Sequence, residues 1–359
     1  MFFSLKDSSP PRDSGTNKPF CGLSMKWVFV ILFLGILLVL PYILSIRFVG
    51  ILTLMAVIAV AVVGLQITIG YAGQINIGQS AFMGMGAYTV AALASHFSLP
   101  FWITIPAGGV GAALLGTVFG LPALRIKGFY LALTTIAAQA LFPLMIVRTP
   151  KKWFGGPLGI DIEPAEFFGI TINTETTLYY FVIIITVIMV WAASNLVKCR
   201  AGRAFVATRD NEIVAEITGI NVYWYKILSF WVGAFYAGIA GGLWMYYFRH
   251  LMVDQFTLWS SVWYLGMLIV GGMGSILGAV LGVVLIRTLQ ESITYLGPYL
   301  TQLFPGLGDS IWFMGMNILL GSTIILFLIF EPQGLVHRWN VLLNSRMSPF
   351  GIDKLKERE

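Results

Sequence analysis

Long apolar runs, separated by polar stretches, dominate this chain. Most of the runs approach about 20 residues, the length at which an α-helix crosses the hydrocarbon core of a bilayer. The longer polar stretches fall at 148–177, 198–223, 297–310 and after residue 331. The pattern predicts ten membrane-spanning helices, near 26–46, 49–69, 75–95, 101–122, 128–147, 178–197, 224–247, 256–270, 275–296 and 311–330.

The same pattern divides the chain into one helical domain and two polar ends. Residues 1–24 are polar and lead into the first apolar run, which no small-residue cleavage site follows, so they are interpreted as a retained, disordered cytoplasmic tail. Residues 25–335 form one transmembrane domain, and 336–359 form a second cytoplasmic tail. The expected fold class is all-α, a polytopic integral membrane protein with about ten transmembrane helices (eight to ten).

Composition narrows the class of protein further. Hydrophobic residues make up 58% of the 359 residues, and charged residues only 11%, with a mean hydropathy of +0.84. A soluble domain of this size needs more polar surface than that. A soluble enzyme, a disordered chain and a nucleic-acid binder are therefore excluded. The two cysteines and three dispersed histidines predict neither a disulfide framework nor a metal site.

Basic residues orient the predicted spans. With the N-terminus inside, the inner segments hold 16 of the 22 Lys and Arg residues, the outer segments five, and one lies within a span. Cytoplasmic loops carry such an excess in membrane proteins. Both termini and the loop 198–223 are therefore predicted to be cytoplasmic, and the loop 148–177 periplasmic. Cys21 and Cys199 then lie on the reducing side as free thiols.

A glycine-rich interruption bears on whether the chain crosses the membrane an even or an odd number of times. The apolar stretch 256–296 is long enough for two crossings, and it is broken at Gly271, Gly272 and Gly274. Glycines at such a position favour a break between helices, here a structural hinge. Two crossings give ten spans with both termini inside. One long span, with a re-entrant segment elsewhere, is the alternative.

Polar side chains lie at or near membrane depth between the second and third spans. The candidate residues for a translocation path are Gln74, Asn76, Gln79 and Ser80. Irregular backbone at that depth survives only where protein or a water-filled path satisfies it, which favours a broken helix beside a substrate path. A tight cytoplasmic hairpin with polar caps is the equally weighted alternative.

Further polar side chains occur in the fifth span and near the end of the ninth. Thr134, Thr135 and Gln139 are candidates for contact with a zwitterionic or amide solute, although hydrogen bonds that join two helices explain them equally well. Arg287 and Glu291 are spaced so that they can pair across one helical turn.

The scarcity of membrane carboxylates bears on the energy source. No acidic residue lies in the middle of any predicted span, whereas ion-coupled transporters usually rely on buried carboxylates. The chain also has no G-x-x-x-x-G-K-[ST] phosphate loop. The sequence therefore predicts no cofactor site of its own, and any ATP has to be bound by a different subunit.

The loop 198–223 contains a short helix with one apolar face. Asp210 is the expected N-cap and Gly219 the expected C-terminal glycine, and Ile213 and Ile217 share a face with Val214. A helix of about two turns is marginal alone and needs a surface to dock on. That surface is either a partner protein or, in the alternative interpretation, the membrane.

Several sequence blocks together resemble one family. The chain is similar, from about residue 50 to 337, to the LivM-type permease subunits of branched-chain amino acid ABC importers. The order and spacing of the blocks carry the resemblance, although each block alone is weak. The blocks are 70–75 through 86–88, 124–132, 155–160, 202–204 through 215–222, 234–241, 271–275 and 332–335.

The resemblance implies a role for the loop and a set of partners. The short helix would dock into an ATPase subunit, with the contacts drawn from Arg203, Arg209, Asp210, Asn211, Glu212, Ile213, Ala215, Glu216, Ile217 and Gly219. The partners implied are a second, similar permease, two ATPase subunits and a periplasmic binding protein in a bacterial inner membrane. The loop loosely resembles the Glu-Ala-Ala…Gly signature of ABC permeases, but Glu212 lies seven residues before Gly219 rather than six, and Ile213 and Val214 replace the alanines. Gln79 stands where the family usually has a histidine.

The resemblance also implies a substrate. Leucine, isoleucine and valine are the first choice, because the block 155–160 looks closer to the amino acid branch of the family. Urea and short amides are the alternative within the family. A carrier or channel that works without ATP is the alternative from a different class. The scarcity of carboxylates in the predicted spans and the exposed helix favour the importer.

Overall fold

The computed structural model describes residues 35, 37–121, 129–164, 166–167, 170–171, 174–303, 315, 318, 321–326 and 329. The chain divides into two units, residues 1–49 and 50–359. In the first unit, the described residues are helical at 37–43 and again from Ile46. The predicted tails at 1–24 and 336–359, and about half of the predicted first and last spans, lie outside the described residues.

Ten helices of six or more residues account for most of the described chain. In chain order they are α1 (Ile46–Leu65), α2 (Gln79–Phe97), α3 (Phe101–Gly120), α4 (Phe129–Arg148), α5 (Glu175–Lys198), α6 (Arg200–Asp210), α7 (Glu212–Ile217), α8 (Val222–Phe248), α9 (Leu258–Gly271) and α10 (Ile276–Leu303). A π-helical turn, Gln66–Tyr71, extends α1. The expectation of a mainly helical chain is confirmed.

Six helical stretches within the described ranges have the length and apolar composition to cross a membrane: Ile46–Tyr71, Phe101–Gly120, Tyr130–Arg148, Glu175–Lys198, Val222–Phe248 and Ile276–Tyr295. Each coincides with a predicted span to within a few residues. Helix α2 is not among the six, and its glycines and polar residues explain why. Most of α2 is buried by other helices, so its surface does not need to be apolar enough for lipid.

Helices α2, α3 and α8 pack closely along one another and form the centre of the core. Glycines at their crossings allow the backbones to approach. A Cβ added at Gly86 of α2 would overlap the backbone of Gly238 in α8, and one added at Gly241 would overlap the carbonyl of Met83. Small residues serve the same purpose in other membrane helix pairs, where close packing takes over from the hydrophobic effect.

The connection between α1 and α2 is irregular. Residues 72–78 lie between the π-helical turn and Gln79, and Gly73 adopts φ +68°, a conformation that favours glycine. The third predicted span therefore begins at residue 79 instead of 75. We call residues 72–78 the break segment.

The polar stretch 148–177 contains short structural elements that the apolar pattern did not predict. A one-turn helix, Lys151–Phe154, precedes strand β1 (Ile160–Asp161), while β2 (Glu166–Phe167) and β3 (Ile170–Thr171) form a separate antiparallel pair. Strand β1 pairs antiparallel with β4 (His250–Leu251), which follows α8. These pairs are too short to show the alternation by which strands are recognised in a sequence.

The packing of α2 against α8 gives a stability prediction. We expect Gly86→Ala to destabilise the protein by about 1–3 kcal/mol, because the added methyl group meets backbone that cannot move aside. Gly321→Ala is the control, since no described neighbour lies within 4 Å of a Cβ built there. Thermal unfolding in detergent, followed by tryptophan fluorescence, measures both variants. Equal loss in the two would contradict the packing argument.

Candidate functional site

The first turn of α2 is buried about half way along two neighbouring helices. The Gln79 side chain donates to the carbonyl oxygen of Ala61 in α1 at 2.8 Å and to that of Gly233 in α8 at 3.4 Å. Ala61 lies about 15 Å from the end of the π-helical turn, at 1.5 Å per residue. The first three residues of the break segment, 72–74, still bond back to carbonyl oxygens of the π-helical turn. Further along, the N–H groups of Ile77 and Gly78 are satisfied by side chains.

Asn76 supplies the nearest of these contacts. Its side-chain oxygen accepts from the backbone N–H of Gly78 at 2.9 Å, and its amide nitrogen donates to the Gln79 side chain at 3.0 Å. Asn76 and Gln79 are 1% and 0% exposed. The two amides therefore join the break segment to α1 and α8 with no solvent between them.

Helix α4 supplies two more polar side chains. Thr135 Oγ1 accepts from the backbone N–H of Ile77 at 3.0 Å and donates to Ala132, one turn back in α4. The Gln139 side chain accepts from the N–H of Ala81 at 2.8 Å, and its nitrogen donates to the carbonyl oxygen of Phe256 at 2.7 Å. Both residues therefore cap open N–H groups around the start of α2.

Ser261 completes the cap, although no sequence pattern singled it out. Its hydroxyl accepts from the N–H of Ser80 at 2.9 Å and donates to Gln139 at 3.2 Å. A serine in an apolar helix, here beside Ser260, is a weak signal, because such a hydroxyl usually bonds to its own helix. We refer to Asn76, Gln79, Ser80, Thr135, Gln139 and Ser261 together as the buried polar cluster.

The structure brings most of the candidate path residues together and leaves Thr134 and Gln74 apart. Thr134 donates to Tyr130 of its own helix, and no described contact joins it to the cluster. Gln74 is 5% exposed, and neither polar atom of its side chain has a hydrogen-bond partner within the described structure; the same holds for the Ser80 hydroxyl. The bonded members make the contacts expected of residues that join helices.

The glycine-rich turn between α9 and α10 lies against the end of α1. Gly272 and Gly274 have φ values of +109° and +89°, so the turn requires glycine at both positions. The Gln66 amide contacts the backbone of Gly272–Ser275. Gly70 lies beside Gly274, so that a Cβ at Gly70 would come within 2.9 Å of the Gly274 nitrogen. The predicted hinge is therefore packed against the π-helical turn.

The loop 198–223 folds into α6 and α7. Asn211 is the N-cap of α7, because its side chain accepts from the N–H groups of Ile213 and Val214. The prediction that Asp210 has this role is wrong: Asp210 lies at the end of α6 and pairs with Arg209 at 2.9 Å. The physical reason is that the chain turns one residue later than the sequence pattern suggested.

Gly219 ends α7 in the way expected of a C-terminal glycine. It has φ +86°, its N–H bonds to Glu216, and the N–H of Ile220 bonds back to Ala215. These two bonds form a Schellman motif. Because both ends are capped, a helix of only six residues has a defined orientation.

The apolar face of α7 is uncovered in this chain. Ile213, Val214 and Ile217 are 68%, 55% and 80% exposed, while Ala215 is buried against the rest of the loop. Glu216 is also exposed. Three large apolar side chains on so short a helix form a surface that is unfavourable in water unless something covers it.

Arg209 connects α6 to the end of α1. Its guanidinium donates to the carbonyl oxygen of Gly70 at 2.8 Å and to Asp210 at 2.9 and 3.0 Å. Its aliphatic part lies against Gly73, where a Cβ would meet the arginine side chain. One side chain therefore touches the π-helical turn and the break segment, and it also lies close to the turn between α9 and α10.

Glu212 anchors α7 to α8. Its carboxylate accepts from Lys226 Nζ at 2.8 Å, and the lysine side chain is only 6% exposed. A buried lysine of this kind depends on its partner, because losing one charge of the pair leaves the other unpaired. Glu212 is therefore engaged within the chain, whereas Arg203 is exposed and donates only to the backbone of Lys198 among its described contacts.

Comparison with known proteins identifies the family. A family model described as branched-chain amino acid transport system, permease component, matches residues 47–308, which is well over half of the chain. The chain belongs to this family. The match contains the break segment, the buried polar cluster and both short helices of the loop.

Curated relatives agree with that assignment. The permease is 28% identical over 333 residues to the high-affinity branched-chain amino acid transport system permease protein LivM of Escherichia coli, covering 85% of this chain and 74% of the relative. The corresponding protein of Salmonella typhimurium is 26% identical, with 86% and 74% covered. No solved structure matches the permease.

A third relative shows how wide the likeness extends. A nucleoside ABC transporter permease protein, NupC, of Lactococcus lactis is 23% identical over 186 residues, which is 48% of this chain and 57% of the relative.

Within the described part of the permease, no group of three or more His, Cys, Asp or Glu residues is arranged to hold a metal ion.

Adjacent threonines allow a matched test of the buried polar cluster. We expect Thr135→Val to destabilise the permease by about 1–3 kcal/mol, since the isosteric change leaves the buried N–H of Ile77 without an acceptor. Thr134→Val removes a hydroxyl that contacts only its own helix, and it should change stability little. Thermal unfolding in detergent compares the two. Equal effects would contradict the role assigned to the cluster.

Proposed function

We propose that this permease is the membrane subunit of an ABC importer for branched-chain amino acids and forms half of its translocation pathway. Membership of the family is the observation that carries the proposal. The exposed apolar face of α7 supports it, because a surface on a capped helix is suited to docking with a second protein. ATP is then bound and hydrolysed by that second protein.

The proposed assembly follows from this assignment. A second, similar permease supplies the other half of the pathway, two ATPase subunits dock on the α7 surfaces, and a periplasmic binding protein delivers the substrate. The end of the molecule that carries α6 and α7 then faces the cytoplasm, and the pair β1–β4 faces the periplasm of a bacterial inner membrane. The basic residues at Lys198, Arg200, Arg203 and Arg209 support this orientation.

We further propose that the break segment changes conformation during transport. Arg209 provides the mechanical connection, because its side chain contacts Gly70 and Gly73 while the residue itself lies near the end of α6, which leads into α7. Gln74 lies within this segment, and its amide has no bonding partner among the described residues. The unbonded Gln74 amide can gain hydrogen bonds from a substrate, or from the protein when the break segment adopts a second conformation.

Gln139 belongs to the buried polar cluster and also lines a cleft. A cleft of about 280 Å³ lies between α4 and residues 253–258, and Gln139 and Asp254 are among its lining residues. The rest of the lining is mainly apolar. This combination supports passage of a solute with one polar and one aliphatic part.

Branched-chain amino acids are the proposed substrates because the family description and the relatives with the greatest coverage carry that function. The nucleoside relative covers about half of the chain, so a likeness within this fold leaves room for other small solutes. Uptake assays with the complete transporter in proteoliposomes, using labelled leucine, urea and a nucleoside, test the assignment. Uptake of urea or a nucleoside without leucine would contradict it.

The α7 surface generates a prediction about ATPase coupling. We expect Ile217→Asp to lower ATPase affinity by about tenfold or more, because burying this side chain contributes about 1.5–3 kcal/mol and a charge opposes burial. Pull-down of the ATPase and ATP-driven leucine uptake measure the effect. Insertion of the variant in the membrane should be unchanged, since the side chain contacts little within the chain.

Leu158→Asp is the matched control. Leu158 is 81% exposed and Ile217 80%, but Leu158 lies in the 148–177 loop, on the side of the membrane assigned to the periplasm. The same change there should leave ATPase binding intact. Full ATP-driven uptake by Ile217→Asp would contradict docking at α7, and the helix would then be assigned to the membrane surface.

Arg209 generates a second prediction about coupling. We expect Arg209→Gln to reduce leucine uptake by about tenfold or more, because hydrogen bonds from a charged group are worth about 1.5–3 kcal/mol. ATPase docking should persist, since α7 keeps its own caps. Measuring ATP hydrolysis and uptake on the same proteoliposomes separates the two. A variant that still couples hydrolysis to uptake would show that Arg209 has no such role.

A further inference from the structure

Helix α10 has an exposed stripe that changes character half way along its length. In its first half the exposed side chains are apolar, with Leu277, Leu281 and Val284 at 66%, 47% and 44%. In its second half the stripe continues through Arg287, Thr288, Glu291 and Ser292, which are partly or fully exposed, and ends at the exposed Tyr295, while the partly exposed Leu289 and Ile293 lie elsewhere on the helix. The first half is suited to lipid, and the second half requires another environment.

The change occurs within the membrane-spanning part of the helix. Arg287 lies about 16 Å along α10 from Ile276, at 1.5 Å per residue. The hydrocarbon core is about 30 Å thick, and the apolar span of this helix is Ile276–Tyr295. Charged side chains at that depth are costly, and they almost always face a water-filled cavity or another subunit. The stripe therefore faces a pathway or a protein instead of lipid.

The Ser292 hydroxyl is satisfied within the helix, whereas the charges of Arg287 and Glu291 are not paired with each other. Ser292 donates to the carbonyl oxygen of Thr288 at 2.7 Å, within the same helix. Arg287 donates to the Gln290 side chain at 2.9 Å, and its Nε is buried with no partner in the described structure. The ion pair that the sequence allowed between Arg287 and Glu291 is not among the ion pairs of the described residues.

We propose that Arg287 and Glu291 bind the charged head of a zwitterionic amino acid in the translocation pathway. The guanidinium donates two parallel hydrogen bonds to the α-carboxylate, and the Glu291 carboxylate accepts hydrogen bonds from the α-ammonium group. The two residues are one turn apart on one helical face, so a single solute can reach both.

This proposal rests on the proposed function and makes its substrate class more specific. Urea and short amides can form hydrogen bonds with both groups, but they carry no charge and neutralise neither. An amino acid carries one charge of each sign and neutralises both. The pair is thus suited to amino acids and selects against neutral solutes of similar size, whichever aliphatic side chain the solute has.

The test uses the two permeases with their two ATPase subunits in nanodiscs, and the binding protein is left out. Binding of labelled leucine is measured. Unlabelled leucine, leucinamide and 4-methylpentanoate compete with it. Leucinamide lacks the carboxylate, and 4-methylpentanoate lacks the ammonium group. In the wild type, leucine should compete about tenfold or more better than either analogue, because each analogue loses one charge-assisted contact.

The variants should remove this preference one charge at a time. We expect Arg287→Gln to make leucine and leucinamide equal competitors while the preference over 4-methylpentanoate remains. Glu291→Gln should make leucine and 4-methylpentanoate equal competitors while the preference over leucinamide remains. Arg287→Lys should keep part of the preference for leucine over leucinamide. Arg148→Gln, an exposed arginine at the end of α4, is the control and should leave both preferences at the wild-type values.

The outcomes separate this inference from the proposed function. If wild-type proteoliposomes import leucine but Arg287→Gln and Glu291→Gln keep wild-type preferences, the pair does not bind substrate and the importer assignment stands. If both variants lose affinity for all three compounds equally, the pair has a structural role and the proposal fails. If the wild type neither binds nor imports leucine, the proposed function itself fails.

Discussion

The absence of water inside a membrane protein imposes the constraint on which this structure depends. Every backbone N–H and C=O that is not in a helix at that depth has to find a partner within the chain. The break segment and the first turn of α2 concentrate such groups in one place. Side chains of α4 and α9, led by Gln139 and Ser261, supply the acceptors. The position of α2 therefore depends on helices that are distant from it in sequence.

The same requirement connects the centre of the permease to its loop. Arg209 satisfies the Gly70 carbonyl, and the Gln66 amide meets the turn that separates α9 from α10. The loop, the π-helical turn and the glycine-rich turn thus share contacts, although they come from three parts of the chain. Glu212 adds a fourth connection through Lys226 of α8. A force applied at α7 would reach several helices through these few side chains.

Packing and chemistry are separated along the length of the molecule. Glycines bring α2, α3 and α8 into close contact, and a buried hydrogen bond between Thr104 and Tyr246 joins α3 to α8. Within the described apolar span of α10, Arg287 and Glu291 stay partly exposed. The surface proposed to bind a zwitterionic solute thus lies on a different helix from the close-packed core.

The sequence by itself determined the helical class, most helix positions and the short capped helix of the loop, because apolar periodicity and capping residues act locally. It also singled out Gln79, Thr135 and Gln139 as unusual. Only the tertiary structure decided that these residues meet, that Ser261 joins them, that Thr134 does not, and that Asn211 instead of Asp210 caps α7. Hydrogen bonds between distant segments depend on how helices pack, and no local pattern records that packing.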